Sequence, residues 1–161
     1  MIEIVEADFA SPDHAETLVT LLARYAEDPM GGGEPLPERT RAELVPTLRE
    51  RPGSHALIAY VDGQPAGLLI AFEGFSTFQC RPLLNIHDVM VDAPYRGRGL
   101  STRLLAGAET IARRLGCCKL TLEVLEGNEP AKASYRKFGF AGYQLDPSMG
   151  RAQFWEKKLP C

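Results

Sequence analysis

No stretch of this 161-residue sequence is apolar over the ~20 residues that a bilayer-spanning helix needs, so a membrane is not an expected partner. The opening MIEIVEADF holds acids but no Lys or Arg, unlike the basic start of a secretory leader. Cysteine is scarce, with Cys80, Cys117, Cys118 and Cys161 forming no Cys-x-x-Cys pair. The three histidines, His14, His55 and His87, are scattered, so no zinc framework is laid out and no metal is expected. Adjacent Cys117 and Cys118 point to opposite sides of a strand and are hard to bridge. Reduced thiols and a cytoplasmic location are the expectation. Positive charge is also in short supply: 18 basic against 21 acidic residues give a net charge of −3. A chain of that balance is poorly suited to neutralising phosphate backbones, so nucleic acid is not expected either. Internal repeats and low-complexity tracts are missing.

What is present fits a single globular domain over residues 1–161, with 45% hydrophobic and 24% charged residues. Residues 2–6 alternate as a strand. Ser11-Pro12 opens a helix to about residue 26, with Ala15, Leu18, Val19, Leu22 and Tyr25 on its apolar face. Residues 28–37 (DPMGGGEPLP) predict a mobile loop, and a second helical stretch follows over about 38–50, in which Pro46 either kinks the helix or begins a second short one. Strands at His55–Val61 and Gln64–Phe72 flank the hairpin signal Asp62-Gly63. Another strand covers Leu83–Val91. Leu100, Leu104, Ala108, Ile111 and Leu115 then recur at helical spacing. A strand at Lys119–Leu125, a short helix around Ala131, Tyr135 and Phe138, and closing strands at Ala141–Gln144 and Arg151–Leu159 complete the order β-α-α-β-β-β-α-β-α-β-β. This is an α/β (α+β) fold with helices packed on a mixed sheet.

The most informative stretch runs from Val91 to Ser101, VDAPYRGRGLS, between a strand and an amphipathic helix. Its glycines permit a tight turn with outward N–H groups. The helix start adds unsatisfied amides and a positive dipole end, and Arg96 and Arg98 add charge. These parts make a seat for a phosphate or diphosphate. A tight turn with two solvated arginines is the plainer alternative. A Rossmann fingerprint is excluded because Thr102 stands where its third glycine belongs, and no Walker A spacing occurs.

The run Arg96-Gly97-Arg98-Gly99-Leu100-Ser101 resembles the acetyl-CoA signature Gln/Arg-x-x-Gly-x-Gly/Ala of the GNAT superfamily of N-acetyltransferases, with Ser101 departing from the last position. Asn128-Glu129-Pro130-Ala131-Lys132-Ala133-Ser134-Tyr135, followed by Phe138-Gly139-Phe140, is similar to that family's Asn-x-x-Ala-x-x-x-Tyr and Gly-Phe end. The stretch NEPAKASYRKFGF also resembles the diamine (spermidine/spermine) acetyltransferase branch. The resemblance covers residues 84–159; residues 1–75 agree in element order. It implies a GNAT-like acyl-CoA N-acyltransferase fold that transfers acetyl from acetyl-CoA to a primary amine by direct attack in a ternary complex. It also implies a homodimer.

By the same resemblance, the backbone of Arg96, Gly97, Arg98, Gly99, Leu100 and Ser101 holds the diphosphate. Val89, Met90 and Val91 hold the pantetheine arm where this strand splays from the next, and Asn128 lies near the cofactor. Tyr135 is the candidate general acid for the departing thiolate, its alternative being a core aromatic. His87, Asp88 and Glu123 are candidates for accepting the amine's proton, as is an ordered water relay. Strict alternation places Asn85, His87, Val89 and Val91 on one face and Asp88 with Leu84, Ile86 and Met90 on the other, unless a bulge intervenes. The diamine branch tends to carry a carboxylate where His87 stands. Loop 28–37 and segment Phe75–Pro82 are expected as acceptor walls, with a small-molecule amine as the first choice of acceptor. A protein N-terminus or lysine, a non-catalytic acyl-CoA sensor and a nucleotide-binding module are the rival readings.

Overall fold

The structure is a computed structural model describing residues 1–160, so Cys161 and its expected thiol lie outside the described residues. The chain runs β1 (Ile2–Glu6), α1 (Pro12–Glu27), α2 (Glu38–Glu50), β2 (Ser54–Val61), β3 (Gln64–Ser76), β4 (Arg81–Val91), α3 (Leu100–Arg114), β5 (Leu120–Leu122) and α4 (Glu129–Phe138). The strands form one sheet in sequential order. β1 to β4 pair antiparallel, while β5 lies parallel to β4 after the α3 crossover.

Local chemistry sets these boundaries. The Ser11 side chain caps α1 by accepting the His14 N–H at 3.4 Å, and Pro12 occupies its first turn. Asp62 and Gly63 both take positive φ, 51° and 78°, the backbone a two-residue hairpin turn requires. Pro46 is contained within a continuous α2 rather than starting a new helix.

Alternating strand residues feed two apolar layers. On one face, Leu100, Leu104, Leu105, Ala108 and Ile111 of α3 pack on Leu57, Leu69, Leu84 and Ile86. On the other, Leu18 and Leu21 of α1 and Val45 of α2 pack on Ile58, Leu68, Ile70 and Met90. Burial of these aliphatics is the principal stabilising term of the fold. Among the described residues, no helix is long and apolar enough to cross a membrane.

Two sequence expectations change. The segment expected to be irregular, residues 76–82, is the tight end of a long β3–β4 hairpin, with Ser76 opposite Arg81. The closing strands expected at 141–144 and 151–159 are not formed. A short 3-10 turn at Pro147–Met149 follows instead, and one backbone bond, Ala152 N–H to Tyr143 C=O at 3.1 Å, links the two segments. The apolar side chains Tyr143, Leu145, Phe154 and Trp155 are exposed. The physical reason lies in the neighbouring strand: β5 pairs over three residues rather than the seven expected, so little edge exists to template further strands.

Candidate active site

The site begins with a register shift. Ile70 of β3 pairs with Asp88, but the next residue, Ala71, pairs with Ile86, leaving His87 as an extra residue in β4. This bulge reverses the side-chain alternation. Before it, Leu84 and Ile86 face α3; after it, Val89 and Val91 join that layer, while Met90 joins the α1–α2 layer. Strict alternation therefore fails at the position that matters. Asp88 leaves the Leu84–Ile86 side and turns toward the α1–α2 layer with Met90.

The bulge coincides with a parting of strands. β5 accompanies β4 through Leu84–Leu120, Asn85–Thr121 and Ile86–Leu122, reinforced by the Asn85 side-chain N–H donating to Thr121 Oγ1 at 3.0 Å. Beyond Ile86 no strand flanks that edge of β4 among the described residues. The backbone of Val89, Met90 and Val91 therefore has no strand partner on that edge among the described residues. Glu123 is exposed immediately past the end of β5.

At the far end of β4 the chain turns through Ala93–Tyr95 into α3. Gly99 takes the N-cap position in a left-handed conformation, φ 76°, and supplies no capping side chain. The first helical bond into the turn is Arg103 N–H to Gly99 C=O, at 3.2 Å. From Gly97 through Thr102, no N–H group has a protein acceptor among the described residues. Successive free amides at the positive end of a 15-residue helix can hold an anion without further rearrangement. Leu100 is buried as an apolar anchor and contributes its N–H alone. Ser101 does not cap the helix; its hydroxyl meets Ser134 Oγ at 3.1 Å and ties α3 to α4.

The two arginines behave differently from a pair of phosphate ligands. Arg98 is exposed, its guanidinium 5.7 Å from the centre of the Tyr95 ring. Arg96 is engaged within the protein: Nε donates to Val91 C=O at 3.0 Å and Nη2 to Asp28 Oδ2 at 2.7 Å.

Several titratable groups lie on the elements near this edge. Asp88 keeps 28% of its side-chain area exposed, and burial raises its pKa; His87, with Nδ1 3.7 Å from Asp88 Oδ2, pulls it the other way. His87 is itself largely exposed and stands edge-on to Phe72, with ring centres 5.5 Å apart. Tyr135 of α4 packs on the α3 layer and edge-on to Phe140, at 6.0 Å. Burial raises its pKa, with a smaller push from Tyr25. Tyr25, on the last turn of α1, also has a raised pKa, from burial first and then from Asp88 and Asp28. Groups from α1, β4 and α4 thus sense one another across the parting strands. Asn128 caps α4, accepting the Ala131 N–H at 3.2 Å, which fixes the helix that carries Tyr135.

Sequence reasoning placed Tyr25 on the apolar face of its helix and did not single out Asp28. Tyr25 has no motif to mark it, because its neighbours come from β4 and α4. Asp28 was legible only as part of loop 28–37. That loop is more ordered than a run of glycines suggests: Asp28 accepts the Met30 N–H through its side chain, and the Gly31 and Gly33 N–H groups through its carbonyl. Segment Phe75–Pro82, expected as the other wall, lies at the opposite end of β4 from the anion seat, with Phe75 and Phe78 exposed. Among the described residues, no cluster of three or more His, Cys, Asp or Glu is arranged to hold a metal ion.

The chain has counterparts among known proteins. The acetyltransferase (GNAT) family profile matches residues 15–140, and the chain belongs to that family. It is 28% identical over 131 residues to a thialysine N-epsilon-acetyltransferase of Caenorhabditis elegans, covering 78% of this chain and 76% of the relative. It is 38% identical over 106 residues to a streptothricin acetyltransferase of Streptomyces lavendulae, covering 62% of this chain and 54% of that relative. Among solved structures, an aminoglycoside acetyltransferase from an uncultured soil metagenomic sample, in complex with sisomicin, superposes with a TM-score of 0.78. Its sequence identity is 14%, with 98% of this chain and 96% of that one covered, a likeness of fold. The protein is an enzyme of the N-acetyltransferase class.

Proposed function

We propose that the protein transfers an acetyl group from acetyl-CoA to the primary amine of a small molecule, by direct attack in a ternary complex. The observation that carries this reading is the run of N–H groups from Gly97 to Thr102 that have no protein acceptor among the described residues, placed where the open edge of β4 leads out of the sheet. Bound there, acetyl-CoA supplies an acyl thioester. The N–H groups hold its diphosphate. The unflanked edge of β4 at Val89 to Val91 offers polar backbone to the amides of the pantetheine arm.

Asp88, near the bulge and raised by burial, accepts a proton from the incoming ammonium, directly or through water, with His87 beside it. The neutral nitrogen forms its bond to the acyl carbon, and the carbon–sulfur bond breaks. Tyr135, held protonated by its burial, gives its proton to the leaving sulfur. Glu123 is left a subordinate place, since it stands exposed beyond the last pair of β5. No enzyme nucleophile is needed, which leaves the unbridged Cys80, Cys117 and Cys118 outside the scheme.

Small amines are favoured as acceptors by the names of the relatives. Thialysine and streptothricin name the two acetyltransferases matched above, and both are small molecules. The test follows free CoA thiol over a panel of diamines, amino-acid-like amines and aminoglycosides, with N-terminal and lysine peptides as controls. Turnover of a small amine supports the reading. Turnover of peptides alone would reassign the acceptor, and CoA binding without any turnover would make the protein a sensor.

A further inference from the structure

Arg96 stands at the first position of the phosphate-turn motif, yet its side chain points away from the amide run and into the other half of the molecule. Its guanidinium bridges the Val91 carbonyl, at the end of the open strand, and Asp28, at the end of α1. Asp28 is in turn the centre of the loop that follows. Its second carboxylate oxygen accepts the Met30 N–H at 2.9 Å, and its carbonyl accepts from Gly31 and Gly33 at 2.8 and 3.1 Å. A second ion pair runs parallel to the first, with Arg24 of α1 donating to Asp92 at 2.6 Å. Two arginine–aspartate links of opposite polarity thus join the end of α1 to the turn between β4 and α3. Gly31 packs so closely on the end of α1 that a Cβ there would lie 1.9 Å from the Tyr25 carbonyl oxygen.

We propose that Asp28 and Arg96 are positioning residues, a clasp through which the donor-binding turn sets the conformation of the acceptor-side loop around residues 28–34. The inference rests on the reading of Gly97–Thr102 as the CoA diphosphate seat and adds a role for Arg96 other than gripping phosphate. When CoA fixes the turn, the guanidinium is fixed with it. The carboxylate, and the loop wound about it, then follow.

The test uses Asp28→Asn in the full chain. Asparagine keeps an oxygen for the Met30 N–H, so the loop retains its own turn, but it removes the charge that faces Arg96. Arg96→Lys is the companion, because an ammonium cannot span Val91 and Asp28 as the forked guanidinium does. Hydrogen–deuterium exchange is read over residues 26–36 with and without CoA, alongside CoA calorimetry. In the wild type, CoA slows exchange in that segment; in both variants the slowing is lost, and in Asp28→Asn CoA affinity stays within about twofold. With the amine that the panel selects, KM for the acceptor rises about three- to fivefold and kcat changes less, the range of a partly exposed ion pair. Undiminished protection in Asp28→Asn would overturn the clasp. So would tighter CoA binding in that variant, which would show Arg96 to be a phosphate ligand restrained by Asp28. A wild type that gives no CoA heat would overturn the proposed function itself, a result distinct from CoA binding that leaves the loop unprotected.

Discussion

Replacing Tyr135 by Phe separates chemistry from packing. The ring packs on the α3 layer and against Phe140, contacts that phenylalanine preserves. Among the described residues no protein group hydrogen-bonds the hydroxyl, so its removal leaves no buried partner stranded. The fold is therefore expected to change in stability by less than about 0.5 kcal/mol. Loss of a general acid, by contrast, costs roughly 10²–10⁴ in rate. At 1.36 kcal/mol per tenfold, that is about 2.7–5.4 kcal/mol of barrier, well above the structural effect. Thiol release gives kcat, calorimetry gives CoA affinity, and a thermal melt gives stability. The expected result is lost turnover with unchanged melting and unchanged CoA binding. Turnover within threefold of wild type would refute the assignment, as would a variant whose melting collapses in step with its activity.

The remaining expectations concern charge and packing. Asp88→Asn abolishes most turnover yet stabilises the protein at neutral pH. Burial raises the folded-state pKa of Asp88 above its unfolded value, so its ionisation opposes folding increasingly as pH rises through that interval and fully above it. Melts at pH 7.5 and pH 4 check the sign: the advantage of the Asn variant should shrink at the lower pH, and an advantage that grew there would contradict the burial argument. Leu104→Ala, at a position with no exposed surface beneath α3, should cost about 2–5 kcal/mol in urea unfolding. Asn128→Ala removes the α4 cap and should cost about 1 kcal/mol, read by the same unfolding. Gly31→Ala meets the Tyr25 carbonyl at 1.9 Å and should cost about 1–3 kcal/mol by forcing the backbone apart.

The elements that could be read from the sequence were those with a local cause. The Ser11-Pro12 start, the Asp62-Gly63 turn and the period of α3 each follow from neighbouring residues alone, and each stands where expected. The turn before α3 is local in the same way: its glycines let the chain bend sharply into the helix, and the amides from Gly97 to Thr102 are left without protein acceptors among the described residues. The sheet's closing edge was not legible. Alternation in 141–144 and 151–159 states a capacity to form strands, but a strand needs a neighbour, and β5 offers three residues. Likewise Arg96 reads as a phosphate ligand from its own motif, and only the approach of α1 shows that Asp28 holds it.

The bulge at His87 shows why site residues resist sequence reading even when their strand is correctly placed. A period of two assigns faces only while pairing is regular, and one extra residue exchanges them for everything downstream. Here the exchange does two things together. It moves Asp88 from the α3 side to the side of Tyr25, and it falls where β5 parts from β4. A regular β4 would carry Asp88 on the Leu84–Ile86 face, beneath α3, where an ionisable carboxyl would cost stability and meet no acceptor. Irregularity at this one position thus sets a half-buried carboxyl beside an open backbone edge. That coincidence is the strongest structural argument that the gap is where chemistry occurs.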